Sequence, residues 1–221
     1  MKTVIIIPAH NEAKTIGDLV KSIIELGHDV IVVDDGSIDD TAVLAKAQGA
    51  SVISTYKKSG KGNALRLAFA HAIARDYEVA ITMDGDGQHA PSDLRNFLEC
   101  YEKSRVDIVN GDRMQNPVGM PWLRRLTNGF MSGLISIVCR QKISDTQCGF
   151  RLISTKVLKS VGFKSNDFEI ETEILIKASK KGFRIASVGI ETIYRDEVSK
   201  IKPVKDTLRF IRYIAKEIFA S

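Results

Sequence analysis

The sequence predicts an α/β domain in which a mainly parallel sheet is flanked by helices. Short runs rich in β-branched residues alternate with longer segments of helical period, and most of these short runs are nearly continuous in apolar residues. Continuous apolar runs are typical of strands buried on both faces of a sheet. The alternation itself indicates βαβ units, which place successive strands parallel to one another.

Five strands and four helices follow from this pattern. The predicted strands are residues 3–7, 29–33, 51–54, 78–83 and 106–110. The predicted helices are residues 12–26, 39–48, 60–74 and 91–101. The fourth helix has Pro91 and Asp93 in its first turn, where a proline fits and a carboxylate complements the helix dipole. After about Asp112 the alternation loosens, and the remainder is interpreted as an elaboration of the same domain.

Size, composition and charge restrict the class of protein. The 221 residues suffice for one domain with a substantial core, and 44% hydrophobic and 27% charged residues are ordinary for a globular protein. No apolar run approaches the ~20 residues that cross a bilayer, and the amino terminus predicts no signal peptide. Three cysteines without metal-ligand spacing fit reduced thiols, so a cytoplasmic protein is expected. The net charge of +5 favours a phosphorylated substrate, an anionic membrane surface or nucleic acid.

Strongly polar segments follow the predicted strands. In open α/β sheets ligands bind outside the carboxyl ends of the strands, so these segments form the candidate site. A dinucleotide-binding Gly-x-Gly-x-x-Gly turn is absent after the first strand. A P-loop also fails, because Gly62 follows Gly60 and Lys61, and Thr55 stands where the first glycine would be. The polar segments are residues 8–12, 34–37, 84–86 and 111–113.

Asp84 and Asp86 form a candidate metal site at the end of the fourth strand. Their carboxylates suit Mg²⁺ or Mn²⁺, which proteins usually hold through one or two carboxylates together with the phosphates of a substrate. Gly85 and Gly87 allow the backbone to bend and a ligand to come close. Alternating Asp and Gly also makes ordinary turns, so the spacing alone leaves both interpretations open.

Four segments in a fixed order and spacing resemble a known family. They are Pro8-Ala9-His10-Asn11-Glu12, Asp34-Asp35-Gly36-Ser37, Asp84-Gly85-Asp86 and Asp145-Thr146-Gln147-Cys148-Gly149-Phe150-Arg151. Over roughly residues 2–205 the chain resembles family 2 glycosyltransferases of the Rossmann-like GT-A fold, and among them the dolichyl-phosphate mannose and glucose synthases and their prokaryotic relatives. The resemblance implies transfer of a hexose from UDP-glucose or GDP-mannose to a polyprenyl or dolichyl phosphate, with inversion at the anomeric carbon. It implies no nucleic-acid partner.

The resemblance also implies roles for single residues. Those that bind the nucleotide sugar would be Pro8, Asn11, Glu12, Asp34, Asp35, Lys61, Asp84, Gly85, Arg195 and Lys200. Those that hold Mg²⁺ or Mn²⁺ would be Asp84, Asp86 and Gln88. A turn followed by a helix cap is the alternative for the Asp34 segment, and an exposed lysine at a helix start is the alternative for Lys61. The mannose synthases carry a glycine in the segment between the last arginine and lysine. In this chain the corresponding segment, residues 195–200, contains no glycine and is shorter.

The acceptor distinguishes the members of the family. Transfer to a sugar hydroxyl needs a general base, whereas a phosphate monoester is already an anion and needs mainly cations that position it. By family position Arg113 and Arg125 would bind the acceptor phosphate, and ordinary surface cations are the alternative. Asp145 would face the hexose or the reacting centre.

Two acids near these motifs have two interpretations each, and one histidine has a single one. By resemblance Glu171 and Glu173 would point into the cleft, although first-turn acids also complement a helix dipole. If a helix starts near Phe168, only some of the acids in its first turns can point into the cleft. His89 is expected to be a solvated neighbour of the metal motif.

Two segments predict basic amphipathic helices. Residues 121–139, and residues 203–221 after a domain spanning residues 1–202, combine apolar residues at helical spacing with arginine and lysine. Such a helix can lie at a membrane surface, which would make the protein peripheral on the cytoplasmic face. The alternative is a helix packed on the domain or on a second subunit.

Other functions stay open at this stage. A family 2 transferase acting on a saccharide hydroxyl would need a base, and no clear base motif precedes Asp145. A sugar nucleotidyltransferase would normally show a glycine-rich basic loop after the first strand. A non-enzymatic binding module would not need intact Asp84, Asp86 and Asp145. The sequence determines neither the base, the hexose, the lipid nor the oligomeric state.

Overall fold

The central feature of the molecule is a seven-stranded sheet with the order β3-β2-β1-β4-β6-β5-β7. The computed structural model of the chain describes residues 1–117 and 119–193. The strands are β1 Thr3–Ala9, β2 Asp29–Asp34, β3 Ser51–Ser54, β4 Val79–Thr82, β5 Ile108–Asp112, β6 Arg151–Ser154 and β7 Ile185–Gly189. The five predicted strands are present with ends shifted by up to two residues, while β6 and β7 were not predicted.

The sheet is mainly parallel, as expected. Parallel pairs join β1 to β2, β1 to β4, β2 to β3 and β5 to β7. The strand β6 is antiparallel to both β4 and β5. Because β6 is the reversed strand between them, β5 runs in the same direction as β4. The carboxyl ends of β1, β2, β4 and β5 therefore meet at one edge of the sheet.

Seven helices and one 3₁₀ turn accompany the strands in the described part of the chain. They are α1 Ile16–Glu25, α2 Thr41–Ala47, α3 Lys61–Ala74, the 3₁₀ turn Pro91–Asp93, α4 Leu94–Ser104, α5 Trp122–Cys139, α6 Thr155–Ser160 and α7 Glu169–Lys180. The first helix begins four residues later than predicted. Asn11 has a left-handed backbone with φ of 57°, and the N–H groups of Thr15 and Ile16 both bond to the Glu12 carbonyl, which makes a turn first.

Two apolar clusters cover the two faces of the sheet. Alternate residues of β1 divide between them, with Val4 and Ile6 on one face and Ile5 and Ile7 on the other. This is the period of two expected of a strand buried on both sides. The first cluster packs under α3, α5, α6 and α7, and the second under α1, α2 and α4. Both faces are thus closed, which leaves the carboxyl edge for ligands. The predicted boundary between residues 202 and 203, and the tail after it, lie outside the described residues.

Candidate active site

The segments that follow β1 and β2 lie against each other at the carboxyl edge. The N–H of Asn11 donates to Ser37 Oγ over 2.9 Å, and Asn11 Oδ1 accepts from the N–H of Ile38 over 2.9 Å. The N–H of Glu12 donates to Thr41 Oγ1 over 2.8 Å. Asn11 and Glu12, two of the residues predicted to bind the nucleotide sugar, are therefore fixed to the segment after β2. Pro8 belongs to β1 itself and pairs with Val33.

The turn after β2 uses the two aspartates differently. Asp34 Oδ1 accepts from the N–H of Ser37 over 3.1 Å, as in the turn interpretation of this segment. Asp35 accepts from Ser59 Oγ and from the N–H groups of Ser59 and Gly60 over 2.6 to 2.8 Å. Burial would raise the pKa of Asp35, and the hydrogen bonds from Ser59, Gly60 and Thr55 hold it below its ordinary value. Asp35 thus anchors the loop that leads into α3.

The metal motif is joined to the β1 side of the site. Thr15 Oγ1 donates to the carbonyl of Gly85 over 2.6 Å, and a Cβ at Gly85 would lie 3.3 Å from Glu12 Cγ. Asp86 Oδ1 accepts from the N–H of Gln88 over 2.9 Å. Burial and the neighbouring charge of Asp84 raise the pKa of Asp86. The two acids therefore repel each other and would gain from a shared cation.

The donor set at this motif fits Mg²⁺ or Mn²⁺ in company with a diphosphate. Among the described residues, no three His, Cys, Asp or Glu side chains form a group that would hold an ion alone. Two carboxylates, Asp84 and Asp86, with phosphate oxygens completing the shell, are a common arrangement for Mg²⁺. Gln88 lies half-buried beside them.

A lysine bridges the metal motif and helix α7. Lys61 Nζ lies 2.5 Å from Asp84 Oδ1 and 2.6 Å from Glu171 Oε1. Burial would lower the pKa of Lys61, but the two carboxylates raise it above its ordinary value. Burial would likewise raise the pKa of Asp84, whereas Lys61 and His89 bring it down to about 2. At neutral pH Lys61 and Asp84 are therefore both ionised.

His89 was expected to be solvated, and this expectation is wrong. Its side chain is buried, with the residue 4% exposed, and stacks on Phe150 at a centroid distance of 5.0 Å. Its Nδ1 accepts from the N–H of Asp84 over 3.3 Å. Burial lowers the pKa of His89, which favours the neutral ring that can accept this bond. The stacking partner is distant in the chain, so the sequence alone did not reveal it. His89 therefore holds the backbone of the metal motif against the core.

Two predicted site residues, Arg113 and Asp145, bind each other. Arg113 Nε and Nη2 donate to the two carboxylate oxygens of Asp145 over 2.7 and 3.0 Å. The N–H groups of Arg113 and Gln147 add bonds of 3.3 Å. Asp145 is 0% exposed. This paired geometry is typical of a strong Arg–carboxylate bond, and it occupies both oxygens of Asp145.

Arg151 is a buried residue to which the sequence analysis gave no role. It is 1% exposed, and its guanidinium donates to the carbonyl of Thr146 over 2.6 Å and to the carbonyl of Glu171. It therefore ties the segment of Asp145 to the start of α7. Its place as the last residue of the fourth matched segment was the one signal available in the sequence.

The two acids at the start of α7 have different surroundings. Glu171 contacts Lys61 at the cleft. Glu173 instead accepts from the N–H groups of Lys164 and Ser165 over 3.0 and 2.8 Å, and its Oε1 lies 2.5 Å from Lys177 Nζ. Glu173 therefore holds the loop before α7 rather than facing the cleft.

This loop closes tightly on the start of α3, which predicts a stability effect. A Cβ at Gly62 would lie 2.2 Å from the Ser165 carbonyl oxygen. We expect Gly62→Ala to lower the free energy of unfolding by about 1–3 kcal/mol, because the loop must shift to make room. Gly133→Ala, on α5 where no atom lies within 4 Å of the added Cβ, is the matched control and should be neutral or stabilising. Urea denaturation of both variants measures the difference, and equal stabilities would contradict the tight fit.

Helix α5 presents an apolar face to solvent. Trp122 is 76% exposed, and Leu123, Leu126, Phe130 and Ile137 are also exposed. Arg125 lies exposed on the same helix, while Met131 and Ile135 pack on the domain. Within the described ranges, no helix has the length and apolar character that crossing a bilayer requires. Arg195, Lys200 and residues 203–221 lie outside the described residues.

Comparison with known proteins places this site in a family. The model of "Glycosyl transferase family 2" matches residues 4–162. The UDP-N-acetylglucosamine–dolichyl-phosphate N-acetylglucosaminyltransferase of Methanococcus voltae is 29% identical over 87% of this chain and 86% of its own. The undecaprenyl-phosphate mannosyltransferase of Micrococcus luteus is 28% identical over 89% of this chain and 85% of its own.

A solved structure shows the same fold. Glucosyl-3-phosphoglycerate synthase from Mycobacterium tuberculosis, in complex with Mn²⁺, uridine diphosphate and phosphoglyceric acid, has a TM-score of 0.75. The match covers 99% of this chain and 78% of that one at 21% identity, which shows likeness of fold alone. The GT-A fold expected from the sequence is confirmed.

Proposed function

The chain belongs to glycosyl transferase family 2, and we propose that it moves a hexose from a nucleotide diphosphate sugar to a polyprenyl or dolichyl phosphate. The donors proposed are UDP-glucose and GDP-mannose, with inversion at the anomeric carbon. Relatives whose names specify dolichyl phosphate and undecaprenyl phosphate acceptors support the class of acceptor.

The state of the carboxylates at the site is the observation that best supports a phosphate acceptor. Both oxygens of Asp145 are bonded to Arg113, and Asp84 and Glu171 are paired with Lys61. Transfer to a saccharide hydroxyl would need one of them to take a proton within hydrogen-bond reach. A phosphate monoester attacks as an anion without that step. These side chains therefore suit a phosphate acceptor better than a hydroxyl acceptor.

On the donor side, we propose that Asp84, Asp86 and Gln88 hold Mg²⁺ or Mn²⁺. When bound, the ion would neutralise charge on the departing nucleoside diphosphate. Gly85 is proposed to contact the donor through its backbone. A Cβ there would lie 3.3 Å from Glu12 Cγ, so a larger residue would disturb the Glu12 segment. The base and ribose would lie on the surface that the Asn11 and Glu12 segment forms together with the turn of Asp34. Asp35 would act indirectly, through the loop that it anchors. Arg195 and Lys200 are proposed to close over the donor.

On the acceptor side, we propose that Arg125 binds the phosphate and that the lipid chain lies along α5. Trp122, Leu126 and Phe130 are spaced four residues apart, which places them on one side of the helix. An exposed apolar face beside arginine suits a peripheral contact with an anionic membrane surface. Arg113, held by Asp145, would present the rest of its guanidinium to the reacting phosphate. We place this contact on the cytoplasmic face.

Product identification tests the proposal directly. The purified chain would be incubated with Mn²⁺ or Mg²⁺ and UDP-glucose, UDP-N-acetylglucosamine or GDP-mannose. Each donor would be offered a short polyprenyl phosphate, the matching polyprenol or a free sugar. We expect mass spectrometry to find a polyprenyl-phosphate sugar with one donor, no product with polyprenol, and no product in chelator. Transfer to the free sugar in place of the lipid phosphate would contradict the proposed acceptor.

A further inference from the structure

The ammonium of Lys61 occupies a small volume that it shares with two acids. A Cβ at Gly149 would lie 2.7 Å from Asp84 Oδ2, 2.8 Å from Glu171 Oε1 and 2.9 Å from Lys61 Nζ. One oxygen of Asp84 is thus bonded to Lys61, and the other is packed against Gly149. The carboxylate that a divalent ion would need already has a cation.

Building on the proposed function, we propose that Lys61 is an exchangeable counter-cation. In the donor-free protein its ammonium bridges Asp84 and Glu171. On donor binding it stays on Glu171, exchanges Asp84 for the diphosphate and releases Asp84 to the divalent ion. The protein would then take up the ion together with the donor rather than before it.

Charge balance supports this exchange. An ion at Asp84 and Asp86 would stand within a few ångströms of the ammonium as long as Lys61 stayed on Asp84. Like charges at that distance repel strongly in a pocket with little water, so the ion and the ammonium compete for Asp84. A nucleoside diphosphate brings enough negative charge for both cations. The donor and the ion should therefore bind cooperatively.

At the start of helix α3, a side chain rather than the backbone has to bind the diphosphate. Helix starts often bind phosphate through free N–H groups. Here the N–H groups of Gly62 and Asn63 donate to the Asn166 carbonyl over 2.7 and 3.3 Å, and that of Gly60 donates to Asp35 over 2.8 Å. These backbone donors are already used. A diphosphate near α3 would therefore be met by the flexible Lys61 side chain, whose backbone is fixed at the first residue of the helix.

Binding of Mn²⁺ without nucleotide tests the exchange, followed by the electron paramagnetic resonance signal of the free ion. Compared with the wild type, we expect Lys61→Met to bind Mn²⁺ at least tenfold more tightly and to gain less from added UDP or GDP. Lys61→Arg, which keeps the charge, should resemble the wild type. Lys58→Met, which removes an exposed lysine from the neighbouring loop, is the matched control and should also resemble it. Unchanged Mn²⁺ affinity in a folded Lys61→Met would overturn the proposal.

An NMR measurement on the wild type tests the same exchange and does not depend on whether Lys61→Met folds. The ¹³Cε resonance of Lys61 should stay in place when Mg²⁺ alone is added and move when Mg²⁺ is added with UDP or GDP. A shift that saturates with Mg²⁺ alone would show that Asp84 accepts the ion without the donor, against the proposal.

The outcomes separate this inference from the proposed function. If the binding results are as expected but no lipid phosphate is glycosylated, the exchange holds and the proposed acceptor is wrong. If transfer occurs but Lys61→Met does not tighten Mn²⁺ binding, the acceptor holds and the exchange is wrong.

Discussion

Asp86→Asn is expected to abolish sugar transfer while leaving the fold intact. Asp86 lies in the turn that follows the central strand β4, and its side chain accepts a hydrogen bond from the N–H of Gln88 that asparagine can still accept. The substitution removes a proposed ion ligand, so we expect transfer to fall by about 10²–10³-fold or more. Removing the ion with a chelator should have a similar effect on the wild type.

Stability should not fall in this variant, for an electrostatic reason. The folded-state pKa of Asp86 is raised by burial and by Asp84, so the ionised carboxylate destabilises the folded state at neutral pH. The neutral amide removes that penalty, and urea denaturation should give an unchanged or higher free energy of unfolding. Asp76→Asn is the matched control, since Asp76 is exposed near the opposite edge of the sheet and its left-handed backbone suits asparagine. Full activity of the wild type in metal-free buffer would contradict the role of Asp86.

Four of the five predicted strands are buried, and the fifth, β3, is a partly exposed edge strand. β1, β2 and β4 have nearly continuous apolar runs because both sheet faces are covered at those positions. β7 is mostly half-buried at the edge of the sheet, so its residues 185–189 have no such run. β6 is buried between β4 and β5, but it follows the part of the chain where strands and helices stop alternating regularly. Apolar runs and regular alternation therefore predict the first five strands, and the two strands after this alternation ends were missed.

The candidate site was predictable where it depends on strand ends and not where it depends on pairing across the fold. Asp84 and Asp86 follow a recognisable strand, so their position was available from the sequence. The bond between Arg113 and Asp145 joins residues 32 positions apart, and the bridge from Lys61 to Glu171 joins residues 110 apart. No local pattern encodes such contacts. They arise because parallel packing brings distant strand ends and helix starts to the same edge.

Replacing Arg125 with lysine tests whether the acceptor is a phosphate. Arg113 already donates two N–H groups to Asp145, whereas Arg125 is exposed on α5 beside the apolar face. A guanidinium can bind two phosphate oxygens at once, which an ammonium does not reproduce. Arg125→Lys should therefore cost transfer to polyprenyl phosphate about 1.5–3 kcal/mol, or roughly tenfold to a hundredfold in rate.

Hydrolysis of the nucleotide sugar separates an acceptor role for Arg125 from a donor role. Slow hydrolysis uses the donor site but not the acceptor phosphate, so Arg125→Lys should change it far less than it changes transfer. Arg140→Lys is the matched control, because Arg140 is exposed just past the far end of α5, about 22 Å away along the helix. Steady-state rates of both reactions decide the question. Equal losses would mean that Arg125 serves the donor or the fold, and efficient transfer to a neutral polyprenol would refute a phosphate nucleophile.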